Sequence, residues 1–290
     1  MSGALWALVA AIGFAFLQVS NRKANQLVDA YRTAFGLLVA VEIVLLLRIA
    51  LLGDFGLLFS APLSAVVIFG VATLFHFVGG WTLLALSQQT IGVARTGALV
   101  SAAPIIGTLV AAVALDEPLT VAIAAGVGLA VVGVALISLS GRGVSGSEEW
   151  RRPWFALGVA LIWGSTPLLI RLGLERFDHP VEGLTIGLAS SVVVYAALLT
   201  VTRRWGRPVP ITAVRWIMFA GLCGAIAVSS QWLSFDLTTI AIAITIQQLS
   251  VLFVIALVPV MFHQPFERMN PRFFAGVLLV LMGATIVLLS

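Results

Sequence analysis

The 290-residue sequence is poor in charged residues, which make up only 10% of it, whereas hydrophobic residues make up 61%. An ordinary soluble domain is about 25% charged. A soluble protein of this length needs more charge to cover its surface, so most of the chain must face lipid or line a space within a membrane. One crossing of a bilayer takes about 20 apolar residues in a helix, so ten crossings would leave room for short connections.

Cysteine is almost absent. The single Cys223 lies in an apolar run, which excludes an intramolecular disulfide and a CxxC metal motif. The sequence has no GxxxxGK[ST] loop for ATP and no HExxH zinc motif, and its Gly164–Ser165 pair lacks the GxSxG pattern of a nucleophile elbow. Its three histidines have no neighbours that would complete a metal cluster. We therefore expect no cofactor, no metal and no enzymatic activity.

Ten apolar runs predict an all-α membrane protein, because the runs are too long for strands and show no sustained alternation. We number them spans 1 to 10, with approximate limits of 3–21, 30–51, 64–87, 93–115, 121–140, 153–173, 183–202, 213–235, 239–262 and 271–290. The first run lacks a basic region and a cleavage site, which favours a spanning helix over a signal peptide. The longest polar connection lies near the midpoint. It divides the chain into a first five-helix repeat (1–141), a linker (142–152) and a second repeat (153–290).

The basic residues are distributed unevenly between the two ends of the spans. The connections after odd-numbered spans hold 13 of the 16 Lys and Arg residues, and the opposite ends hold only Arg48, Arg171 and Arg176. We call these two sides of the molecule the odd face and the even face. The positive-inside rule places the odd face and the linker in the cytoplasm and both termini outside. This orientation accounts for the basic balance of the chain without a nucleic-acid partner.

The two halves of the sequence resemble each other. Residues 7–24 align with 156–173, and residues 87–101 align with 236–250, both at an offset of 149. Each half also ends in a span with regularly placed glycines. Because each half has five spans, the second must enter the membrane upside down relative to the first. Inverted repeats are a recurring plan of secondary transporters, which bind their solute between the halves near the midplane.

Four stretches carry a resemblance to a known family. They are "IWGSTPLLIRLG" in span 6, "ALSQQTIGVARTGALVSAAPIIGTLVAAVALDEPLTVAIAAGVGLAVVGVALI" across spans 3 to 5, and, in the second half, "LTTIAIAITIQQLSVLFVIALVPVMFHQPFE" followed by "GVLLVLMGATIVLL". On these the chain resembles the EamA-type branch of the drug/metabolite transporter superfamily, and within it the bacterial carriers that export aromatic amino acids. The resemblance implies ten helices around a central cavity, with solute contacts from spans 1, 3, 4, 6, 8 and 9. The second half departs from the pattern, since His263–Gln264 stands where the first half has Asp116–Glu117.

Span 6 contains an unusual group of helix-weakening residues, namely Gly164, Ser165, Thr166 and Pro167. Pro167 removes a helical hydrogen bond and clashes with the preceding turn, so we expect a kink, with Gly164 and Pro167 as a hinge. Irregular backbone at this depth is tolerated where it faces protein or a wet cavity. Ser165 and Thr166 are therefore candidates to contact a solute, and close helix packing through small residues is the alternative.

Further candidate solute contacts lie deep in other spans: Gln18, Asn21, His76, Trp81, Trp163, Gln231, Trp232, Gln247 and Gln248. Amides donate and accept hydrogen bonds, which suits the carboxylate and ammonium of an amino acid. The tryptophans would form apolar walls for a ring-bearing solute, with Trp163 as the strongest candidate. Neighbouring helical residues point about 100° apart, so only one residue of each adjacent pair need face the cavity. Hydrogen bonding between helices is the alternative role for the amides.

Glu42 lies near the middle of span 2, where a charged side chain costs about 2.5–3.5 kcal/mol on insertion scales. Intramembrane carboxylates usually face the protein interior and are functional, so Glu42 is a candidate for proton coupling. His76 is a second candidate, because histidine titrates near physiological pH. The alternatives are a protonated, hydrogen-bonded Glu42 and a neutral, buried His76.

No Lys or Arg lies at a predicted midplane, which disfavours phosphate esters and nucleotide sugars as solutes. We predict a bacterial inner-membrane secondary transporter that exports small neutral or zwitterionic metabolites, among them aromatic amino acids, by alternating access. A membrane channel, or an enzyme acting on a lipid-soluble substrate, is the alternative. The predicted partners are the solute and the lipid bilayer, and the sequence leaves the oligomeric state open.

Overall fold

A computed structural model describes residues 2–53, 55–91, 93–140, 153–206, 208–262 and 270–290. Throughout these residues the regular structure is helical. In chain order the helices are Ser2–Asn25, Ala30–Leu52, Phe55–Ser60, Leu63–Thr73, the π-helix Leu74–Gly80, Trp81–Ile91, Val93–Val100, Ala103–Ala114, Val121–Leu139, Trp154–Leu174, Pro180–Val201, Ile211–Leu237, Ile240–Gln247, Ser250–Phe262 and Pro271–Leu289. The predicted linker 142–152 and the His263–Gln264 pair lie outside the described residues.

Within the described residues, ten helical segments are long and apolar enough to cross a membrane, which confirms the ten predicted spans. Their limits are Ser2–Asn25, Ala30–Leu52, Leu63–Gln88, Arg95–Ala114, Val121–Leu139, Trp154–Leu174, Pro180–Val201, Ile211–Leu237, Ile240–Met261 and Pro271–Leu289. Several begin at a capping side chain, because the first N–H groups of a helix lack helical partners. Asp29, Thr120, Thr239 and Asn270 each accept a hydrogen bond from the backbone N–H three residues later.

Two spans are interrupted at nearly equivalent places in the two halves. Span 4 leaves the helical path at Ser101–Ala102, and span 9 does so at Gln248–Leu249. The offset of 149 places Ser101 opposite Ser250, so the two interruptions lie within about two residues of each other in the alignment. Span 3 is irregular in another way, since its middle turns form the π-helix Leu74–Gly80.

Span 6, where the sequence predicts a kink, is assigned as one helix from Trp154 to Leu174 with Pro167 inside it. The hydroxyls of Ser165 and Thr166 donate to the carbonyls of Leu161 and Ile162, both at 2.7 Å. Serine and threonine bonds of this kind, together with packing from neighbouring helices, allow a membrane helix to retain a proline. The helix assignment is thus interrupted in spans 4 and 9 but not in span 6.

The two halves meet along glycine-lined contacts, in which span 5 packs against span 10 and span 1 against span 8. A Cβ atom added to Gly133 would lie 2.7 Å from the carbonyl oxygen of Gly276, and one added to Gly276 would lie 2.7 Å from that of Gly133. The backbones of spans 5 and 10 are therefore in direct contact. Such close approach through small residues is typical of helices that associate within membranes.

Candidate functional site

A cavity of about 530 Å³ lies between the two halves. Spans 1 to 5 supply one part of its lining and spans 6 to 9 the other, so spans 2, 5 and 7 contribute in addition to the six that the resemblance implies. Small-molecule sites in proteins have volumes of about 300–1,000 Å³. The cavity is therefore of a size that suits a single small metabolite.

The cavity opens on the odd face. The exposed residues Asn25, Ala30 and Gln88 belong to its lining, and they lie where spans 1, 2 and 3 end or begin on that face. From there the lining continues inward to Trp163, and to Gln231 in span 8. A solute can enter this conformation from the odd face, whereas polar contacts between the helices close the even face.

Glu117, in the connection between spans 4 and 5, makes the first of these contacts. Its two carboxylate oxygens accept the backbone N–H of Ile240, at 3.0 and 2.9 Å, where span 9 begins. The first half of the chain thus caps a helix of the second half. Burial raises the pKa of the Glu117 carboxyl, although the hydrogen bond from Ile240 and the positive charge of Arg171 act in the opposite direction.

Arg171, at the end of span 6, makes the second contact on the even face. Its Nη1 donates to the carbonyl oxygen of Phe235, and to that of Asp236 at 3.0 Å, where span 8 ends. Close to these groups, a Cβ added to Gly3 at the start of span 1 would lie 2.9 Å from the carbonyl carbon of Leu237. Spans 1, 6, 8 and 9 are therefore drawn together at this face.

Four aromatic residues form one wall of the cavity, which we call the aromatic wall: His76, Phe77, Trp81 and Trp163. The rings of His76 and Trp163 stack, with centroids 5.7 Å apart and planes at 23°. Phe77 lies edge-on to His76 at 4.8 Å and to Trp81 at 5.4 Å. The Nε1 of Trp163 donates to the carbonyl oxygen of His76 at 3.2 Å, so a span of the second half is joined to the π-helix of the first.

The predicted glutamines of spans 8 and 9 lie beside this wall. Gln231 donates from Nε2 to Oε1 of Gln247 at 2.8 Å, and both residues line the cavity. The interhelical bond named above as the alternative is thus present at the cavity surface. Gln248 lines the cavity as well.

Three buried polar atoms at the cavity have no hydrogen-bond partner among the described residues: Oδ1 of Asn21, Nδ1 of His76 and Nε2 of Gln248. An unsatisfied buried polar group costs about 1–3 kcal/mol, so such groups usually bind water or a ligand. The three atoms come from spans 1, 3 and 9, and Gln18 of span 1 lies in the same lining. The residues line the cavity, but these three atoms have almost no accessible surface, so a ligand would reach them only after the side chains move.

Four of the predicted residues lie outside the lining of this cavity. Ser165 is bonded within its own helix, and Gly164 packs against span 4, where an added Cβ would lie 2.7 Å from the carbonyl oxygen of Ala103.

Trp232 is only 2% exposed and packs on Phe69 with ring centroids 5.2 Å apart. Glu42 is half-buried in span 2, and its Oε2 has no hydrogen-bond partner among the described residues. The other predicted contacts, including Thr166 and Pro167, line the cavity.

Sequence reasoning missed several lining residues, among them Phe14, Gln88, Ser101 and Ser138. A signal existed for Ser101, which precedes Pro104 at the break in span 4, and for Gln88, which stands in a polar run at the end of span 3. The described residues that line the cavity include no Asp, Glu, Lys or Arg. The polar part of the described lining therefore consists of amides, hydroxyls and the N–H-bearing rings of His and Trp.

Comparison of the chain with known protein families identifies the family to which it belongs. The model of the EamA-like transporter family matches residues 1–139 and again residues 152–289. The chain belongs to the EamA-like transporter family. This EamA-like transporter is thus a multi-pass membrane protein made of two repeated halves, and the molecule it moves is a small solute.

A solved structure, described only as the crystal structure of a protein, is similar to this EamA-like transporter with a TM-score of 0.81 and 15% sequence identity. The match covers 100% of this chain and 98% of that one. At this level of identity the likeness shows the shared fold alone. No curated protein matches the sequence.

Proposed function

We propose that this EamA-like transporter exports small zwitterionic metabolites, amino acids with aromatic side chains among them, by alternating access. The observation that carries the proposal is the central cavity, which is open on the odd face and closed on the even face by the contacts of Glu117 and Arg171. Among the described residues its lining holds amides and aromatic rings and no charged side chain. A membrane channel would need a path through both faces. The closed even face therefore favours a carrier.

The chemistry of the lining supports a zwitterion as the solute. An α-amino acid needs acceptors for its ammonium and donors for its carboxylate, and amide side chains supply both. Asn21 and Gln248 carry unpaired amide atoms at the cavity, and Gln18, Gln231 and Gln247 lie in the same lining. The aromatic wall would pack against the side chain of the solute, with His76 and Thr166 completing the contact surface.

Alternating access requires that the closed face open and the open face close. On the even face this would break the bond between Glu117 and Ile240 and the bonds from Arg171 to span 8. The interrupted backbones of spans 4 and 9 would absorb the movement, and discontinuous helices at equivalent places in two repeats usually mark the solute site of a carrier. We propose that residues 1–141 and 153–290 are the units that move, with Gly164 and Pro167 as hinge residues and Ser165 and Trp232 as supporting contacts.

The distribution of Lys and Arg supports an orientation with the odd face in the cytoplasm of a bacterial inner membrane. The cavity in this conformation would then be open to the cytoplasm, as an exporter needs for loading. A reporter fused after Ser290 should report the outside. A cytoplasmic signal from that fusion would contradict the orientation but not the transport proposal.

Reconstitution into liposomes with a panel of labelled amino acids tests the function. A carrier should show saturable uptake, and unlabelled solute inside the vesicles should accelerate entry of the labelled solute. A channel would show no counterflow, and an enzyme would release a changed product. Repeating the assay with an imposed pH gradient, for the native chain and for Glu42→Gln, tests proton coupling. An unchanged response of Glu42→Gln to the gradient would exclude that residue from a proton pathway.

A further inference from the structure

The π-helix Leu74–Gly80 holds two consecutive glycines, Gly79 and Gly80, beside the aromatic wall. π-Helical turns are rare and frequently lie at functional sites. Gly80 is buried, and it is not among the residues that line the cavity. Its effect on a solute must therefore be exerted through another residue, and that residue is Trp163.

The indole of Trp163 is held on two sides. Its Nε1 donates to the carbonyl oxygen of His76 at 3.2 Å, and its ring stacks on the imidazole with an interplanar angle of 23°. Because the N–H already has a partner, the indole presents its ring rather than a hydrogen-bond donor to the cavity. Trp163 in this position forms a flat apolar surface, which suits a planar ring better than a branched aliphatic side chain.

Position 80 must lack a side chain for this arrangement to exist. A Cβ at Gly80 would lie 3.0 Å from Cδ1 and 3.3 Å from Cε2 of Trp163, and nearer still to Nε1. The indole is rigid, so it would have to move as a unit and would lose its bond to His76. The neighbouring Gly79 differs, because a Cβ there would lie 3.4 Å from Cδ1 of Ile162 and 3.8 Å from the carbonyl oxygen of Leu74, which are ordinary contacts.

We propose that Gly80 is a positioning residue that determines specificity: by leaving space for the Trp163 indole against His76, it selects solutes with a planar ring over aliphatic ones. This inference rests on the proposed function, since it concerns how the same cavity chooses among its solutes. The residue acts before any solute arrives, because the bond from Trp163 to His76 is made within the protein.

The test compares Gly80→Ala with the matched control Gly79→Ala in liposomes, using phenylalanine and tryptophan against leucine and valine. Offset ring packing contributes about 0.5–1.5 kcal/mol, so Gly80→Ala should lower the preference for ring-bearing solutes by about two- to tenfold, through KM. Gly79→Ala should retain the native preference. An equal rise in KM for all four solutes, or the same loss in both variants, would overturn the proposal.

If the Gly80→Ala protein is not inserted into the membrane, the variant Trp163→Phe provides a second test of the proposal. The phenyl ring lacks the N–H that reaches His76, so this variant should also lose part of the ring preference without requiring new space. A Cβ at position 80 should then cost less in the Trp163→Phe background than in the native chain. If Trp163→Phe retained the full preference, the anchoring role of Gly80 would be refuted.

The outcome for the native chain separates this inference from the proposed function. Failure of the native transporter to move any amino acid would contradict both. Transport with a clear ring preference that Gly80→Ala leaves intact would contradict only the role of Gly80. Tryptophan fluorescence provides a reading independent of transport, since Gly80→Ala but not Gly79→Ala should change the spectrum, and the change should vanish in the Trp163→Phe background.

Discussion

The two halves of the transporter meet in two regions that are built differently. One is the glycine seam between spans 5 and 10, formed by Gly126, Gly133, Gly276 and Gly283, where backbone lies against backbone. The other is the aromatic wall, where the bond from Trp163 to His76 joins spans 6 and 3 through a side chain. The seam has no spare volume, whereas the wall borders a cavity and unpaired polar atoms.

This difference assigns separate tasks to the two regions. A backbone contact without free volume can slide little, because any relative movement creates overlap on one side and a gap on the other. Side-chain contacts beside a cavity can be broken and re-formed at small cost. We therefore expect the glycine seam to determine whether the halves associate, and the aromatic wall to determine what the assembled protein carries.

The largest expected effect is on the stability of the seam. Gly133→Ala would place a Cβ 2.7 Å from the carbonyl oxygen of Gly276 and from the backbone nitrogen of Val280, neither of which can turn aside. Overpacking of this kind typically costs about 1–3 kcal/mol or more, so detergent-solubilised protein should unfold several degrees earlier and transport should fall with it.

Gly128→Ala on the same helix is the matched control, because an added Cβ there would meet nothing within 4 Å. It should be neutral, or slightly stabilising through better helix propensity. Equal melting temperatures for the two alanine variants would show that the glycine seam tolerates extra volume. The seam would then not be packed more tightly than the aromatic wall.

The second effect concerns the wall, where function should change more than stability. Trp163→Ala removes the stacking surface and should lower transport of aromatic amino acids by about tenfold or more, while membrane insertion is retained. Transport assays and the melting temperature of the purified protein measure the two properties separately. Unchanged transport would remove Trp163 from the solute site.

A third, smaller effect tests the contact that closes the even face. Glu117→Ala removes the acceptor that caps the Ile240 N–H of span 9 and leaves the Thr239 cap in place, and losing one capping bond costs about 0.5–2 kcal/mol. The population open on the odd face should fall, so a cysteine introduced at position 25 in a Cys223→Ser background should react more slowly with an impermeant maleimide. Glu117→Gln retains an acceptor oxygen and should change the rate less.

The control for this experiment is Glu175→Ala, which removes an exposed carboxylate from the same face. It should leave the labelling rate unchanged. If Glu117→Ala and Glu175→Ala were indistinguishable, closure would depend on packing rather than on the cap.

The smallest effect is a dependence of the same labelling rate on pH. Burial raises the pKa of the Glu117 carboxyl while the even face is closed, so this state binds the proton more tightly than one with Glu117 in water. Lowering the pH toward that pKa should therefore favour the closed even face and faster labelling at position 25. The pH dependence should be absent in Glu117→Gln, and its persistence there would assign it to another group.

Some features of the site were predictable from the sequence because they depend on single residues in apolar runs. Asn21, His76, Trp163 and Gln247 stood out as polar or large side chains at membrane depth, and all four line the cavity. Trp232 stood out by the same criterion, yet it packs on Phe69 in the core. Depth along a span can be read from hydropathy, but the direction of a side chain depends on the rotation of its helix against its neighbours.

The positions of the interruptions in the helices were likewise not predictable from the sequence of a single span. Span 6 remains helical through Gly164 and Pro167, whereas span 9 is interrupted at Gln248–Leu249 without a proline. Whether a weak turn stays helical depends on the bonds and packing that surrounding helices supply. These cannot be read from one segment alone.

By itself the amino-acid sequence determined the number of membrane crossings, the division into two inverted halves and the glycine-rich character of spans 5 and 10, since each follows from the length and composition of local runs. Only the tertiary structure decided which face is closed, which amides reach the cavity, and that Glu117 and Gly80 act on the opposite half. These properties arise from contacts between residues far apart in the sequence, such as Glu117 and Ile240, which are 123 positions apart, and no local pattern encodes them.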